Sequence, residues 1–157
     1  MKILLIIRHA RAEIIAKSDR VRKLSEEGQA AAIALGCKLH EAGISADMIV
    51  SSPAVRAETT AQLIARGINY SKNAIVSEEF LYHAHPEEII SFIRNLDDKV
   101  ESLLIVGHNP ALFETVNLLG PEQVVVFRPG QALRFQFDVA SWKGVDRETC
   151  KSMMEIF

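Results

Sequence analysis

The sequence is poor in cysteine and lacks the usual cysteine pairs. Its two cysteines, Cys37 and Cys150, are far apart, and there is no Cys-x-x-Cys motif. Each has neighbours that are typical of the interior of a helix or strand. Isolated cysteines of this kind are typical of reduced packing residues in a reducing compartment. We therefore expect both thiols to be free and to pack inside the domain.

No apolar run in the sequence is long enough to cross a membrane. The first run, residues 3–7, ends in Arg8-His9 rather than in the small residues of a signal-peptide cleavage site. Every other run falls short of the roughly 18 uninterrupted apolar residues that a membrane-spanning helix needs. We therefore expect a cytoplasmic protein with no membrane partner.

The sequence also lacks a strong charge of either sign, and it has no repeat, low-complexity tract or linker. The formal net charge is −2 and the pI is about 6.2, which argues against a surface that binds nucleic acid. Any cationic patch must therefore be local, as in a small pocket. The length of 157 residues is that of one ordinary domain, so we expect a single domain over residues 1–157.

Three apolar runs each give way to polar or charged residues. They are residues 3–7 before Arg8-His9, residues 48–50 before a segment that reaches Arg56, and residues 102–106 before Gly107-His108. Apolar runs without alternation are typical of strands covered on both faces, as in a parallel sheet. Helical patterns lie between them, so the sequence predicts a three-layer α/β/α sandwich with a mostly parallel central sheet.

Ligands of such sheets bind outside the carboxyl ends of the strands. Arg8, His9, Arg56 and His108 should therefore lie together at that edge. Two arginines and two histidines at one edge indicate an anion site, and phosphate is the anion that most needs so much positive charge.

The remaining patterns predict further elements. Residues 25–43 read as a helix with Ser25 as the N-cap, Gly43 as the stop and an apolar face that contains Ala30, Ile33, Ala34 and Cys37. Ser52 and Pro53 fit the N-cap and first position of a helix that ends at Gly67, and Asn109 and Pro110 fit those of a helix that ends at Leu119. The other predictions are a loop at 10–23, a helix at 86–96 and strands at 74–76, 124–127, 133–138 and 153–157.

A histidine beside an arginine favours nucleophilic chemistry over metal binding, because the guanidinium group repels a cation and stays protonated. A neutral His9 could attack phosphorus while arginines hold the phosphoryl oxygens. His108, just ahead of a predicted helix N-terminus, could donate a hydrogen bond to the same oxygens.

Four segments of the sequence form a pattern known from one family. They are Arg8-His9-Ala10, residues 24–30 (LSEEGQA), residues 52–61 (SPAVRAETTA) and residues 107–110 (GHNP). Together they resemble the histidine phosphatase superfamily, which has the phosphoglycerate-mutase-like fold. The resemblance implies that His9 is phosphorylated transiently, that Arg8, Arg56 and His108 hold the phosphoryl group, and that water then hydrolyses the phosphohistidine. It implies no metal or other cofactor.

Within that superfamily, the short chain and residues 18–24 (SDRVRKL) most resemble the small phosphohistidine phosphatases that act on phosphorylated proteins. The resemblance makes Arg22 an additional anion contact, although a solvated loop charge is an equal alternative. The first motif of the family usually ends in glycine, and Ala10 in its place suggests a backbone that needs no positive φ.

The second departure concerns the general acid. Mutases and phosphomonoesterases of the family carry a glutamate two residues beyond a leucine, and here the residue two beyond Leu81 is His83. An imidazole leaving group needs far less protonation than an alkoxide, so a phosphohistidine substrate fits this absence. Glu78 and Glu79 remain possible substitutes, and a metal site at His83 and His85 is a minor alternative.

The sequence thus predicts a cofactor-independent phosphatase that removes phosphate from phosphohistidine on a partner protein. One alternative is a phosphomonoesterase of the same fold that acts on small phosphate esters. Another is a module that binds phosphate or a phosphoprotein without catalysis. A third, a metal-dependent hydrolase, would lose its activity in excess chelator.

Overall fold

A computed structural model describes residues 1–156. The strands are β1 (Lys2–Arg8), β2 (Met48–Ser51), β3 (Val76–Ser77), β4 (Ser102–Gly107), β5 (Ala132–Phe137) and β6 (Cys150–Ile156). The α-helices are α1 (Glu26–Glu41), α2 (Val55–Gly67), α3 (Pro86–Arg94) and α4 (Ala111–Leu119). The last predicted strand extended to residue 157, which lies outside the described residues.

Within residues 1–156 the strands form one sheet in the order β3-β2-β4-β1-β5-β6. The neighbours among β3, β2, β4 and β1 are parallel, whereas β5 is antiparallel to both β1 and β6. Helices α1 and α2 pack together on one face, and α3 and α4 pack on the other. The predicted three-layer α/β/α sandwich with a mostly parallel sheet is confirmed.

The first strand shows why the apolar runs occupy the centre of this sheet. Leu4 and Ile6 belong to the core under α3 and α4, while Leu5 and Ile7 belong to the core under α1 and α2. All four are fully buried. Alternate side chains of a strand point to opposite faces, so a strand covered on both faces needs an unbroken apolar sequence.

Helix α1 begins after Ser25, whose hydroxyl accepts from the Gly28 N–H as predicted, but it buries a different face from the predicted one. The buried residues are Gly28, Ala32, Leu35, Gly36 and Leu39. Ile33 is 49% exposed, and Cys37 is exposed as well, so the expectation that both cysteines pack inside was wrong for Cys37.

The glycines of α1 explain why that prediction failed. A Cβ built on Gly67 of α2 would lie 2.5 Å from the carbonyl carbon of Gly36, so the two helices touch backbone to backbone at this point. Close approach of two helices requires small residues at the contact, and glycine on the inner face does not register as apolar in a sequence pattern.

Residues 124–127 do not form the predicted strand, because side chains bind their backbone groups. Asn117 donates from Nδ2 to the Val124 carbonyl and accepts from the Val124 N–H. The Phe127 carbonyl accepts from Arg8 and Asn109. The segment therefore crosses the end of the sheet as an irregular chain, with the Phe127 side chain buried in the core.

Two smaller corrections concern the neighbourhood of β2. The strand predicted at residues 74–76 is β3, only two residues long, and it follows a short 3₁₀ helix at Lys72–Ala74. Ser52 does not cap α2, whose N-cap is Ala54. The Ser52 hydroxyl instead lies 2.7 Å from Nε2 of His108, which places it in the candidate site.

Candidate active site

The carboxyl ends of the parallel strands bring four of the predicted site residues together. Arg8 ends β1 and His9 follows it, His108 follows β4, and Arg56 lies in the first turn of α2. The rings of His9 and His108 have their centroids 5.1 Å apart. Thr60 joins two of these elements, because its hydroxyl accepts from the Ala10 N–H and donates to the Arg56 carbonyl.

His9 is held as a neutral imidazole with one nitrogen free to react. Its ring is 8% exposed, and Nδ1 lies 2.7 Å from the Ala10 carbonyl oxygen, which can only accept a proton. Nδ1 is therefore the protonated nitrogen and Nε2 carries the lone pair. Burial lowers the pKa of His9 from 6.5 to about 4, the Ala10 bond opposes this effect in part, and the positive charges of Arg56 and Arg8 add to the lowering.

His108 is also neutral near pH 7. Burial lowers the pKa of His108 from 6.5 to about 3, and the neighbouring His9 and Arg56 contribute in the same direction. Its Nε2 shares a hydrogen bond with the Ser52 hydroxyl. Tyr82 meets the ring edge-on, at a centroid distance of 5.6 Å and an interplanar angle of 90°. These contacts hold the ring through Nε2 and its edge, while Nδ1 is buried and has no hydrogen-bond partner among the described residues.

The two arginines are fixed by backbone carbonyls. Arg8 donates from Nη1 to the Phe127 carbonyl at 3.0 Å. Arg56, 6% exposed, donates from Nη1 to the Asp19 carbonyl at 2.7 Å and from Nη2 to Asp19 Oδ2 at 3.0 Å. Both guanidinium groups are thereby oriented by contacts at their outer nitrogens.

Three buried nitrogens have no hydrogen-bond partner among residues 1–156: Nε of Arg8, Nε of Arg56 and Nδ1 of His108. We call them the open nitrogens. A buried donor without a partner costs about 1–3 kcal/mol, so natural proteins rarely leave one, and three in one site are exceptional. An anion with several acceptor oxygens would satisfy all three.

The sequence did not single out Asp19, which connects the charged groups of this site. Its carboxylate accepts from Tyr82 Oη at 2.6 Å, from Arg56 Nη2 at 3.0 Å and from Arg22 Nε at 3.1 Å. The Tyr82 bond and then those from Arg56 and Arg22 hold the pKa of Asp19 well below its usual range. In turn Asp19 raises the pKa of Tyr82. Asp19 is therefore a permanent carboxylate and not a proton donor.

Arg22 lies beside this group. Besides Asp19 it contacts the Glu13 carbonyl through Nη1 at 3.1 Å, and its positive charge contributes to the lowered pKa of His9. Its side chain is 27% exposed, between the buried Arg56 and the open loop. The position is compatible with either role that the sequence left open.

The residues considered as general acids (His83, Glu78 and Glu79), and His85, considered with His83 as a metal pair, lie in different surroundings. Glu79 makes a two-point ion pair with Arg20, at 2.5 and 2.7 Å, which lowers the pKa of the carboxyl and keeps it charged. His85 precedes α3, where its backbone N–H donates to Glu88. His83 is exposed, with its ring 4.2 Å from that of Tyr82. Glu78 is partly buried, and its backbone N–H donates to the Ser51 carbonyl.

Three further observations concern metal ligands, membrane-spanning helices and the backbone at Ala10. Among residues 1–156, no group of three or more His, Cys, Asp or Glu side chains is placed to hold a metal ion. Over the same residues, no helix has the length and apolar character required to span a bilayer. Ala10 has an ordinary backbone conformation, since Asn69 is the one non-glycine residue with positive φ in the described part of the chain.

Comparison with known proteins gives a consistent picture. The model of the Histidine phosphatase superfamily (branch 1) matches residues 4–81. The phosphohistidine phosphatase SixA homolog of Haemophilus influenzae is 31% identical over 142 residues, which cover 85% of this chain and 87% of that protein. The mitochondrial serine/threonine-protein phosphatase Pgam5 of Drosophila melanogaster is 32% identical over 83 residues, 53% of this chain but only 29% of that protein.

Solved structures show the same similarity. A protein described as a SixA phosphohistidine phosphatase from Agrobacterium tumefaciens has a TM-score of 0.78 at 27% identity, with 87% of this chain and 92% of that one covered. A SixA protein histidine phosphatase complexed with tungstate has a TM-score of 0.81 at 22% identity, with 97% and 96% covered. The second likeness concerns the fold alone.

Proposed function

Because the chain belongs to the histidine phosphatase superfamily, we propose that it hydrolyses phosphohistidine on a partner protein through a covalent intermediate at His9. The observation that carries the proposal is the set of open nitrogens beside a neutral His9. The three open nitrogens belong to residues that the strand ends bring beside His9, and a phosphoryl group bound there would offer acceptor oxygens to them. Such prearranged donors stabilise the charge that develops in phosphoryl transfer.

In the first step, Nε2 of His9 attacks phosphorus and the P–N bond of the substrate breaks. The electron pair of that bond leaves with the substrate imidazole. If the other nitrogen of that ring already carries a proton, the leaving group is a neutral imidazole and needs no further proton. The Ala10 carbonyl stabilises the positive charge that forms on the His9 ring, through its bond with Nδ1.

In the second step, water attacks the phosphorus atom on His9. The new P–O bond forms as the P–Nε2 bond breaks, so the electron pair returns to Nε2 and His9 becomes neutral again. The proton lost by the water remains on the inorganic phosphate that is released. Arg8, Arg56 and His108 hold the phosphoryl oxygens throughout, because their fixed outer contacts keep the open nitrogens in place.

The surroundings of the leaving group support phosphohistidine over a phosphate ester. An ester oxygen requires a proton from an acid, whereas imidazole has a conjugate acid with a pKa of about 6.5. Asp19, which accepts from Tyr82, and Glu79, which pairs with Arg20, are both held in the charged form. The relative from Haemophilus influenzae, described as a phosphohistidine phosphatase homolog, supports the same substrate class.

The direct test is to capture the intermediate. A protein phosphorylated on histidine with ³²P is mixed with excess enzyme, the reaction is quenched in alkali within milliseconds, and the labelled peptide is mapped. We expect label on His9 in the native chain and none in a His9→Ala variant. Label on another residue, or turnover with no labelled enzyme at any time point, would disprove the mechanism.

A substrate panel then separates the alternatives. We expect phosphohistidine to be hydrolysed at least about 100-fold more efficiently than sugar phosphates, because only the esters need an acid. Faster hydrolysis of esters would indicate a small-molecule phosphomonoesterase. Tight binding of vanadate without any turnover would indicate a module that binds phosphate without catalysis.

A further inference from the structure

Two pairs of apolar side chains stand in solvent beside the candidate site. Ile14 and Ile15 are 92% and 89% exposed, and Val125 and Val126 are 86% and 54% exposed. We call these four the rim residues. Adjacent β-branched side chains in a soluble protein are rarely this exposed unless another surface covers them.

Each pair adjoins a carbonyl that holds an arginine of the site. Ile14 and Ile15 follow Glu13, whose carbonyl accepts from Arg22 Nη1 at 3.1 Å. Val125 and Val126 precede Phe127, whose carbonyl accepts from Arg8 Nη1 at 3.0 Å. The rim residues are therefore continuous with the anion site.

The two pairs lie on different sides of it. The loop that contains Ile14 and Ile15 leads into α1, on the face of the sheet that α1 and α2 cover. Phe127, next to the other pair, is buried in the core under α3 and α4. His9 and His108 follow the central strands β1 and β4 between these faces. One pair of rim residues therefore lies beside the site on the side of each helical layer.

We propose that the rim residues bind the surface of the partner protein around its phosphohistidine, and that this surface is apolar. The inference rests on the proposed function. A free phosphohistidine would occupy the open nitrogens and leave the rim residues in water. A protein would cover them, because the surface around its phosphorylated residue has to approach both loops before Nε2 of His9 can reach phosphorus.

The test uses two 12-residue peptides, each with one histidine phosphorylated by phosphoramidate. In one peptide leucine and valine flank the histidine on both sides, and in the other serine and asparagine do. We expect the native chain to hydrolyse the apolar peptide with a kcat/KM about tenfold higher, the effect of one well-buried apolar contact. Combined Ile14→Ser, Ile15→Ser, Val125→Ser and Val126→Ser substitutions should reduce this preference to less than about twofold.

The matched control is a chain with Ile33→Ser and Leu118→Ser. Both residues are 49% exposed and lie in the middle of α1 and near the end of α4, so the tenfold preference should persist. Free phosphohistidine should be hydrolysed equally by all three chains. No preference in the native chain, a preference that survives in the rim variant, or a rim variant that changes only the oligomeric state would each overturn the proposal.

Measurements of peptide affinity distinguish a failure of this proposal from a failure of the proposed function. Fluorescent forms of the two phosphorylated peptides are titrated with His9→Ala protein, with and without the rim substitutions. A tenfold difference in Kd that disappears with the rim substitutions supports the docking surface even if the native chain hydrolyses no phosphohistidine. Equal Kd values for both peptides overturn it even if hydrolysis of free phosphohistidine is fast.

Discussion

Strand β1 carries a cation at each end, and the two cations differ in how fully their hydrogen-bond donors are satisfied. Lys2 is 3% exposed, donates from Nζ to the carbonyls of Asp98 and Val100 at 2.6 and 2.9 Å, and lies 5.6 Å from the centre of the Trp142 ring. Arg8 makes one such bond, to Phe127, and retains an open nitrogen. Lys2 is buried and Arg8 is only partly buried, but both carry a positive charge, and the unsatisfied donor of Arg8 is what marks it as the cation of the site.

The same contrast extends to the carboxylates. Asp47, near Lys2, accepts from the backbone N–H groups of Glu101 and Ser102 and so satisfies two backbone donors at the amino end of the sheet. Asp19, at the other end, accepts only from side chains that could also bind a substrate or its neighbours. Substitutions at the amino end of the sheet should therefore affect stability, and substitutions at the carboxyl end should affect activity.

The largest effect should come from His9, the residue with no counterpart at the amino end. We expect His9→Ala to lower kcat by at least about 10⁴-fold, as loss of a nucleophile does elsewhere. Single-turnover assays with phosphohistidine measure this. A thermal unfolding curve should show an intact fold, and residual activity above about 1% in a folded variant would contradict the assignment of the nucleophile.

Arg56→Lys should be next. Lysine keeps the charge but cannot donate to Asp19 with two nitrogens while a third faces the phosphoryl group. We expect kcat/KM to fall about 10²–10³-fold, the usual cost of one oxyanion donor. Arg20→Lys is the control, because Arg20 pairs with Glu79 on the surface, and its effect should stay within about threefold.

Lys2→Met should produce the opposite pattern. The carbonyls of Asp98 and Val100 would lose their bonds from the buried Lys2, so the free energy of unfolding should fall by about 1–3 kcal/mol. Urea titration measures this change. The kcat of the folded variant should stay within about twofold of the native value, and a larger loss would mean that the two ends of the sheet are not independent.

The pH dependence of stability should reflect the lowered pKa of His9 in the folded chain. The unfolded chain binds a proton on His9 below pH 6.5, but the folded chain does so only below about pH 4, so stability falls as pH decreases through that interval. The expected loss from His9 between pH 7 and pH 5 is about 2 kcal/mol. In His9→Asn the decrease measured by urea titration should be smaller by that amount, and an unchanged decrease would refute the lowered pKa.

Among the substitutions within the site, Asp19→Asn should reduce activity less than those of His9 and Arg56. The amide keeps the size of the side chain but cannot accept from Tyr82, Arg56 and Arg22 in the same way, so Arg56 becomes less well oriented. We expect kcat/KM to fall about tenfold, the effect of one charge-assisted hydrogen bond. Tyr82→Phe should cost less, and a rate increase in either variant would mean that Asp19 competes with the substrate for the arginines.

The fold and the location of the site could be predicted because both depend on local pattern. A strand such as residues 3–7 is recognisable from its apolar run, and parallel strands necessarily direct their carboxyl ends to one edge. The structure brings Arg8, His9, Arg56 and His108 to that edge. Their catalytic roles remain predictions until the variants are measured.

Other features depend on contacts between distant residues and left no local signal. Asp19 is bound by Tyr82, 63 residues later, and by Arg56, 37 residues later. Residues 124–127 are mostly β-branched, which favours a strand, but the side chains of Asn117 and Arg8 form hydrogen bonds with their backbone groups in place of a neighbouring strand. The inner face of α1 includes two glycines, which apolar periodicity does not detect. A tyrosine directly before His83 was the available hint that this region reaches the site.

The contact between Gly36 and Gly67 ties the packing of α1 on α2 to the helix that carries Arg56. Arg56 lies eleven positions before Gly67 on α2, about 16 Å along the helix axis. A methyl group at Gly67 would lie 2.5 Å from the Gly36 backbone, so we expect it to force α1 and α2 apart and to move the helix that carries the arginine. Substitution of Gly67 could therefore alter turnover while every residue that contacts the phosphoryl group stays the same.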